Sequence, residues 1–174
     1  MNETYFIGDL HFGHKKILEF SPERGGTNIL EHNEWIISQW NSVVKKNDMV
    51  WVMGDVAFSQ EGLQCVSRLR GNKKLVRGNH DTQSTQAYLK YFNNVFGIVK
   101  ESGFWLSHAP IHPQELRGKR NICGHMHSKN ILLENGELDD RYINVSVEQI
   151  NGIPISFTEI KERFKDDKIA IPTY

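Results

Sequence analysis

Five short apolar runs in this chain each end beside a side chain that can bind a metal ion, and no other feature constrains the fold as strongly. The runs have strand length and are rich in β-branched or aromatic residues, which is typical of buried strands. They are Thr4–Ile7, Met49–Met53, Lys74–Val76, Phe104–Leu106 and Asn121–Cys123. The polar residues that follow them are Asp9 and His11, then Asp55, then Asn79 and His80, then His108, then His125 and His127. Because ligand sites in α/β sheets gather at the carboxyl ends of strands, we expect one site assembled from most of the chain.

A glycine directly precedes the polar residue in four of these five blocks, at positions 8, 54, 78 and 124. Glycine at the end of a strand allows a sharp turn and a close approach of the backbone to a neighbour or a ligand. Two of the blocks also space their polar residues at i and i+2, which places both side chains on one side of an extended segment. Each of these pairs can therefore bind at one place.

Helical patterns lie between the first runs. Apolar residues at helical spacing predict a helix over Glu31 to Lys46, and Asn28 with Glu31 resembles a capping box at its start. Shorter patterns predict helices at about Gln60 to Leu69 and Gln83 to Tyr91, so that strands and helices alternate as in βαβ units. Near the end of the chain, Ile143 to Val147 and Ile153 to Ile160 are predicted as closing strands, with the turn Asn151-Gly152 joining them as a hairpin.

Composition narrows the classes of protein. The chain has 174 residues with 21 basic and 21 acidic side chains, so its formal net charge is zero and a single domain over residues 1–174 is expected. This balance argues against a broad surface for nucleic acid or anionic membrane. Cys65 and Cys123 lie far apart and predict neither a disulfide framework nor a thiolate zinc site. With no apolar run near the roughly 20 residues of a membrane span and no targeting segment, we expect a soluble cytoplasmic protein.

The donor set consists of oxygen and imidazole nitrogen, which suits manganese, iron(II), zinc or nickel. Seven candidate ligands exceed what one tetrahedral ion needs, so a two-metal centre with Asp55 as the bridging carboxylate is the better interpretation. Two divalent ions that share a hydroxide favour in-line attack on phosphorus, because they form the nucleophile and stabilise the attacking and leaving oxygens. The pattern therefore points to phosphoester hydrolysis.

The blocks also match a known family in their order. Gly8-Asp9-Leu10-His11, Gly54-Asp55, Gly78-Asn79-His80-Asp81, His108 and Gly124-His125-Met126-His127 resemble the signature of the calcineurin-like metallophosphoesterase superfamily. Together they cover most of the chain, and its compact length resembles the small stand-alone bacterial and phage members. The resemblance implies an α/β fold in four layers, α/β/β/α, with two mixed sheets face to face and helices outside.

The resemblance also implies a role for each residue of these blocks. A first metal ion would be held by Asp9, His11 and His127, and a second by Asn79, His108 and His125, with Asp55 between them. Manganese is the preferred metal of this interpretation, and iron, zinc and nickel remain open. His80 would hydrogen-bond the transferred phosphoryl group and protonate the leaving oxygen, and Asp81 would orient the His80 ring.

Four further residues are candidates for contacts with substrate. His14 could reach the phosphate, although a polar residue at a helix start explains it equally well. Arg77 could aim at a substrate phosphate or simply be a paired strand residue on the surface. Arg117 and Arg120 lie in a basic loop predicted at the mouth of the site, where they could steer an anion, and a solvated charged turn is the alternative. His32, early in the predicted helix, is expected on the surface.

These residues lead to one main hypothesis and three alternatives. We expect a dinuclear metal-dependent phosphodiesterase in which the bridging hydroxide attacks phosphorus in line and a small molecule or nucleotide is the substrate. A phosphomonoesterase acting on a small metabolite or phosphoprotein is the alternative within the same chemistry. A non-catalytic metal-binding scaffold is the alternative of another class, although the intact ligand set with His80 disfavours it. Balanced charge disfavours a nuclease that acts on long nucleic acid.

Overall fold

The computed structural model describes residues 2–164. Within them the strands are β1 Thr4–Ile7, β2 Met49–Val52, β3 Asn72–Val76, β4 Asn94–Phe96, β5 Ile98–Glu101, β6 Phe104–Ser107, β7 Arg120–Cys123, β8 Tyr142–Asn144 and β9 Ile155–Ser156. The α-helices are α1 Ile17–Phe20, α2 Ile29–Val43, α3 Gln60–Gln64, α4 Thr85–Tyr88 and α5 Phe157–Glu162. Short 3₁₀ helices cover Cys65–Arg68, Pro113–Glu115 and Val147–Gln149. None of the helices in this part of the chain is long and apolar enough to cross a bilayer.

The strands form two mixed sheets, as the resemblance implied. The first sheet has the order β4-β3-β2-β1-β9, in which β9 alone runs antiparallel to its neighbour. The second has the order β5-β6-β7-β8, in which β5 is antiparallel and the other three strands are parallel. Parallel strands therefore form the centre of both sheets, and their carboxyl ends can meet on one side of the molecule.

Alternation along β2 shows how the sheets are layered. Val50 and Val52 belong to the buried cluster that contains Trp40 of α2, whereas Trp51 and Met53 belong to the cluster shared with Leu106 and other residues of the second sheet. Successive side chains of a strand point to opposite faces, so the first sheet is covered by helices on one face and by the second sheet on the other. Both faces are apolar, which explains why β2 is an uninterrupted apolar run.

The outer face of the second sheet is covered by the segment 109–119, which contains the 3₁₀ helix Pro113–Glu115. Asn121 and Trp105 point away from the inter-sheet core toward this segment. The Asn121 side chain accepts the Ile111 backbone N–H at 2.9 Å, and Trp105 Nε1 donates to the Leu116 carbonyl at 3.3 Å. These bonds anchor the loop that the sequence had placed at the mouth of the site.

The long helix begins earlier than its apolar pattern indicated. Asn28 is the N-cap, and its side chain accepts the backbone N–H groups of Leu30 and Glu31 at 3.0 and 3.1 Å. Glu31 reaches back to the backbone N–H of Thr27 at 2.9 Å, one residue before the cap. The helix therefore starts at Ile29 and ends at Val43, three residues before the predicted end. The other two predicted helices are also shorter, the first being α3 followed by a 3₁₀ turn and the second α4.

The predicted closing hairpin is wrong. Asn151 and Gly152 do form a turn, with φ of 50° and 72°, but β8 before it belongs to the second sheet and β9 after it pairs with β1 of the first. The predicted strand Ile153 to Ile160 also ends at Ser156, because Ser156 and Glu159 form a capping box that starts α5. The turn therefore carries the chain from one sheet to the other.

Candidate metal centre

The polar residues predicted to form one site do come together, at the carboxyl ends of β1, β2 and β3 in the first sheet and of β6 and β7 in the second. Backbone hydrogen bonds join the two sheets here. The Gly8 N–H donates to the Val145 carbonyl at 2.8 Å, which links the end of β1 to the segment after β8. The residues that follow these five strands therefore lie close together, as the strand-end pattern indicated.

Two glycines allow the loops of the site to approach each other. A Cβ atom on Gly54, whose φ is +82°, would lie 2.5 Å from His108 Nδ1 and 2.7 Å from the Cα of Gly78. A Cβ atom on Gly78 would lie 2.6 Å from the backbone nitrogen of Asp55 and would collide with its Oδ1. Side chains larger than hydrogen would push apart the loops that carry Asp55 and His108.

The first group of donors contains Asp9, His11 and His127, whose ligand atoms lie within 4.8 Å of one another. His11 Nε2 lies 3.9 Å from Asp9 Oδ1 and 3.7 Å from Asp55 Oδ2. Asp9 Oδ1 and His11 Nε2 are buried and have no hydrogen-bond partner within the part of the chain that the structure describes. Because buried polar atoms are nearly always satisfied, this pair of atoms fits a bound cation.

The second group contains Asn79, His108 and His125. Asn79 Oδ1 lies 2.9 Å from His108 Nε2 and 3.1 Å from His125 Nδ1, and these two nitrogens are 3.1 Å apart. Asp55 Oδ2 lies 3.5 Å from His108 Nε2, so the Asp55 carboxylate faces both groups. Ligand atoms of Asp9, Asp55 and His108 also lie within 4.8 Å of one another, which places two carboxylates between the histidine groups.

The surroundings of Asp9 and His11 keep these two donors in ionisation states that suit metal binding. Burial lowers the pKa of His11, so its ring is neutral near pH 7 and a nitrogen lone pair is available. Burial by itself would raise the pKa of Asp9, but the neighbouring His11 ring and the charges of His108 and His127 lower it. Asp9 is therefore ionised at neutral pH.

The backbone of the site is strained. Five of the predicted ligands adopt the left-handed region although none is glycine, with φ of 59° at Asp9, 53° at His11, 53° at Asp55, 68° at His125 and 51° at His127. Such conformations are uncommon for residues other than glycine and concentrate at functional sites, where the surrounding structure holds them. All five lie in the loops that follow β1, β2 and β7.

A buried ion pair that no sequence pattern indicated supports the first group. The carboxylate of Glu148 lies 2.9 Å from His127 Nδ1 and 2.7 Å from Arg24 Nη2, and both charged side chains are at most 1 % exposed. Arg24 also donates to the backbone carbonyl of Asp9 at 2.8 Å. The Arg24–Glu148 pair therefore connects the Asp9 backbone to the His127 side chain. It also fixes the orientation of the His127 ring, as carboxylates next to metal-binding histidines commonly do.

This ion pair lies among groups whose ionisation is strongly shifted. Burial alone would raise the pKa of Glu148, but the hydrogen bond from His127 and the Arg24 charge hold it at about 2. The Glu148 hydrogen bond in turn raises the pKa of His127. His32 is fully buried beside Arg24, which corrects the prediction that it lies on the surface, and burial with the Arg24 charge lowers its pKa to about 4.

His80 and Asp81 have different surroundings. The His80 side chain is exposed, and its backbone N–H donates to Asp55 Oδ1 at 2.9 Å. The Asp81 carboxylate is buried and accepts the backbone N–H groups of Asp55, Val56 and Gly78 at 2.8–2.9 Å. These partners replace the expected one, the His80 ring, because the loop amides after β2 and β3 surround the carboxylate. Asp81 therefore holds the two ligand loops together.

A cavity of about 580 Å³ opens over the two groups of donors. Its polar lining includes His11, His14, His80, His125 and His127, and its apolar lining is Ile17, Phe20, Phe58 and Met126. His14, one of the four substrate candidates, stacks on Phe58 with ring centroids 4.1 Å apart. Phe58 also stacks on His11 at 4.9 Å and is a further residue of the site that the sequence patterns did not single out.

The three arginine candidates lie elsewhere. Arg77 donates to the backbone carbonyls of Asp81 and Gln83, so it is a structural residue of the loop after β3. Arg117 pairs with Glu115 on the exposed loop at 3.2 Å, and Arg120 contacts Asp140 at 3.3 Å. Arg120 also begins β7, whereas the donors follow the other end of that strand. The predicted basic mouth is therefore wrong, because the loop folds back over the outer face of the second sheet.

Comparisons with known proteins agree with this geometry. The family model described as calcineurin-like phosphoesterase matches residues 4–171. An uncharacterized protein of Methanocaldococcus jannaschii is 30% identical over 98% of this chain and 96% of its own length. The Gene 66 protein of Mycobacterium phage L5 is 29% identical over 85% of this chain and 87% of its own. A crystal structure of a protein of unknown function from Aquifex aeolicus superposes with a TM-score of 0.70 and 27% identity, covering 94% of this chain and all of the other.

Proposed function

This chain belongs to the calcineurin-like phosphoesterase family, and we propose that it is a phosphodiesterase that uses two divalent metal ions. The observation that carries the proposal is the convergence of two donor groups on Asp9 and Asp55, with buried donor atoms that have no partner among the described residues. We assign one ion to Asp9, His11 and His127 and the other to Asn79, His108 and His125, with Asp55 shared. Oxygen and imidazole donors favour manganese, followed by iron, zinc or nickel.

The ions would supply a hydroxide nucleophile at neutral pH and compensate the charge that develops on the attacked phosphoryl group. The residues of the chain hold this arrangement. Asp55 presents Oδ2 to both donor groups while its Oδ1 accepts the His80 backbone N–H, so the same carboxylate positions His80 at the edge of the centre. The exposed His80 ring would give its proton to the leaving oxygen, a role that suits an imidazole near neutral pH.

The size and lining of the cavity support a diester substrate. A volume of about 580 Å³ greatly exceeds the space that a phosphate group needs, and one wall consists of the apolar residues Ile17, Phe20, Phe58 and Met126. A diester has a second organic group that can cover such a wall, whereas a small phosphomonoester would leave it in contact with water. We therefore favour phosphodiesters over phosphomonoesters of small metabolites that lack a group able to cover this wall.

The test compares bis-p-nitrophenyl phosphate with p-nitrophenyl phosphate in the presence of added manganese. We expect the diester to be hydrolysed with the higher kcat/KM, and a clear preference for the monoester would overturn the diesterase proposal. The His80→Ala variant should lose about 10²–10⁴-fold in kcat because general acid assistance is removed. Its metal content should stay near that of the wild type, since His80 is not among the assigned ligands, and full activity in this variant would contradict the assigned role.

A further inference from the structure

The apolar wall of the cavity consists largely of aromatic surface that is open to solvent. Phe20, at the end of α1, is 68% exposed, and Phe58 is 38% exposed. Both line the cavity that contains His80 and the assigned ligand His11. Large aromatic side chains are seldom left in water without a function when they border a site, because their burial is among the larger favourable contributions to binding.

The rings follow one another from the surface to the proposed catalytic centre. The Phe20 and His14 centroids are 5.9 Å apart, and the His14 ring stacks on Phe58 at 4.1 Å with an angle of 20° between the planes. The Phe58 centroid lies 4.7 Å from that of His80. A planar ring attached to a phosphate at the proposed metal centre would therefore meet aromatic surface next to His80.

The charged residues of the cavity lining further limit the class of ligand. Among the described residues that line this cavity, Lys129 is the only lysine or arginine, and no aspartate or glutamate is part of the lining. An uncharged planar group linked to an anionic phosphate fits this lining, whereas a cationic group would find no carboxylate along the wall.

We infer that the wall formed by Phe20, His14 and Phe58 is a stacking site for a nucleobase and that the substrate is a nucleoside phosphoester. The inference rests on the proposed function for the phosphate half of the ligand and adds the identity of the organic half. Stacking of a base on an aromatic side chain tolerates every base, because each has a π-face. The site would therefore bind nucleotides as a class without discriminating between the bases.

The test is direct binding to the manganese-loaded protein, measured by calorimetry. Adenosine 5′-monophosphate and ribose 5-phosphate carry the same phosphate and sugar and differ in the base. We expect the nucleotide to bind about tenfold tighter than the sugar phosphate. Phe20→Leu keeps an apolar side chain without a π-face and should reduce this ratio several-fold, whereas Phe20→Trp should retain it. Leu30→Ala, on an exposed position of α2, is the matched control and should leave the ratio unchanged.

Measurements of binding and of turnover distinguish the stacking site from the proposed phosphodiesterase activity. Equal affinities for the nucleotide and the sugar phosphate, or a ratio unaffected by Phe20→Leu, would overturn the stacking site even if phosphodiesters are hydrolysed. A base-dependent affinity in a protein that hydrolyses no phosphodiester would overturn the proposed function and leave the stacking site supported.

Discussion

Replacement of Glu148 by glutamine probes the ion pair beneath the first donor group without changing the shape of the side chain. Glutamine leaves the Arg24 guanidinium buried and without its counter-charge, and the removal of one partner of a buried pair typically costs about 3–5 kcal/mol. The depressed pKa gives a second estimate. A carboxyl whose pKa falls from 4.5 to about 2 contributes about 3 kcal/mol of stability at neutral pH. We therefore expect the free energy of unfolding to fall by about 3 kcal/mol.

Urea unfolding at pH 7 with a chelator present measures this loss without a contribution from metal binding. The matched control is Glu34→Gln, which removes an ion pair of the same type from the surface, where Glu34 and Arg68 are 60% and 52% exposed. The control should lose much less stability than Glu148→Gln, because solvent screens an exposed ion pair. A loss for Glu148→Gln no larger than that of the control would refute the conclusion that the buried pair supports the site.

The pH dependence of the same comparison has a definite sign. Because the pKa of Glu148 is lower in the folded state, its stabilising effect is complete above the unfolded value of 4.5 and is lost as the pH falls toward about 2. The difference between wild type and Glu148→Gln should shrink across this window. A difference that stays constant down to pH 2 would mean that the lost stability does not come from the ionised carboxylate.

Two further substitutions test the shared carboxylate and the packing of the loops. Asp55→Asn keeps the shape but removes the charge that faces both donor groups, so the purified variant should bind fewer than two manganese ions per chain by elemental analysis; two ions with unaltered affinity would contradict the shared role. Gly78→Ala places a Cβ against the backbone nitrogen of Asp55 and should destabilise the fold by about 1–3 kcal/mol in a thermal unfolding assay. The control is Gly97→Ala, which should be nearly neutral in the same assay because a Cβ on Gly97 meets nothing within 4 Å.

The position of the site was predictable because it depends on local sequence. Each donor follows a short apolar strand within a few residues, and the parallel arrangement of those strands brings their ends together whatever the details of the loops. Two examples are the pair Asp9 and His11 after β1 and the pair His125 and His127 after β7. The distance in sequence between these two pairs does not affect where their strands end. The alternating burial of β2 likewise follows from its position between two covering layers.

What could not be predicted depends on contacts between distant loops. Arg24 and Glu148 are separated by 124 positions, and neither lies in a periodic pattern or a motif, so nothing in the sequence indicates that they meet. The prediction of a closing hairpin was wrong for a related reason. The turn at Asn151 has the same sequence whether the flanking strands pair with each other or belong to different sheets. Ser156 and Glu159 have the spacing of a capping box and so indicate the start of α5, but the apolar run across them favoured a strand.

The left-handed backbone at the assigned ligands sets up a conflict between folding and metal binding. Each such residue other than glycine destabilises the chain by roughly 1–2 kcal/mol, less for aspartate than for bulkier side chains. Glycine at Asp9, His11 or His127 would relieve that strain while it removes a ligand. A lineage under selection for stability alone should therefore discard the metal ligands early and keep the two sheets intact. In such lineages the two sheets would persist after the proposed metal-dependent chemistry had been lost.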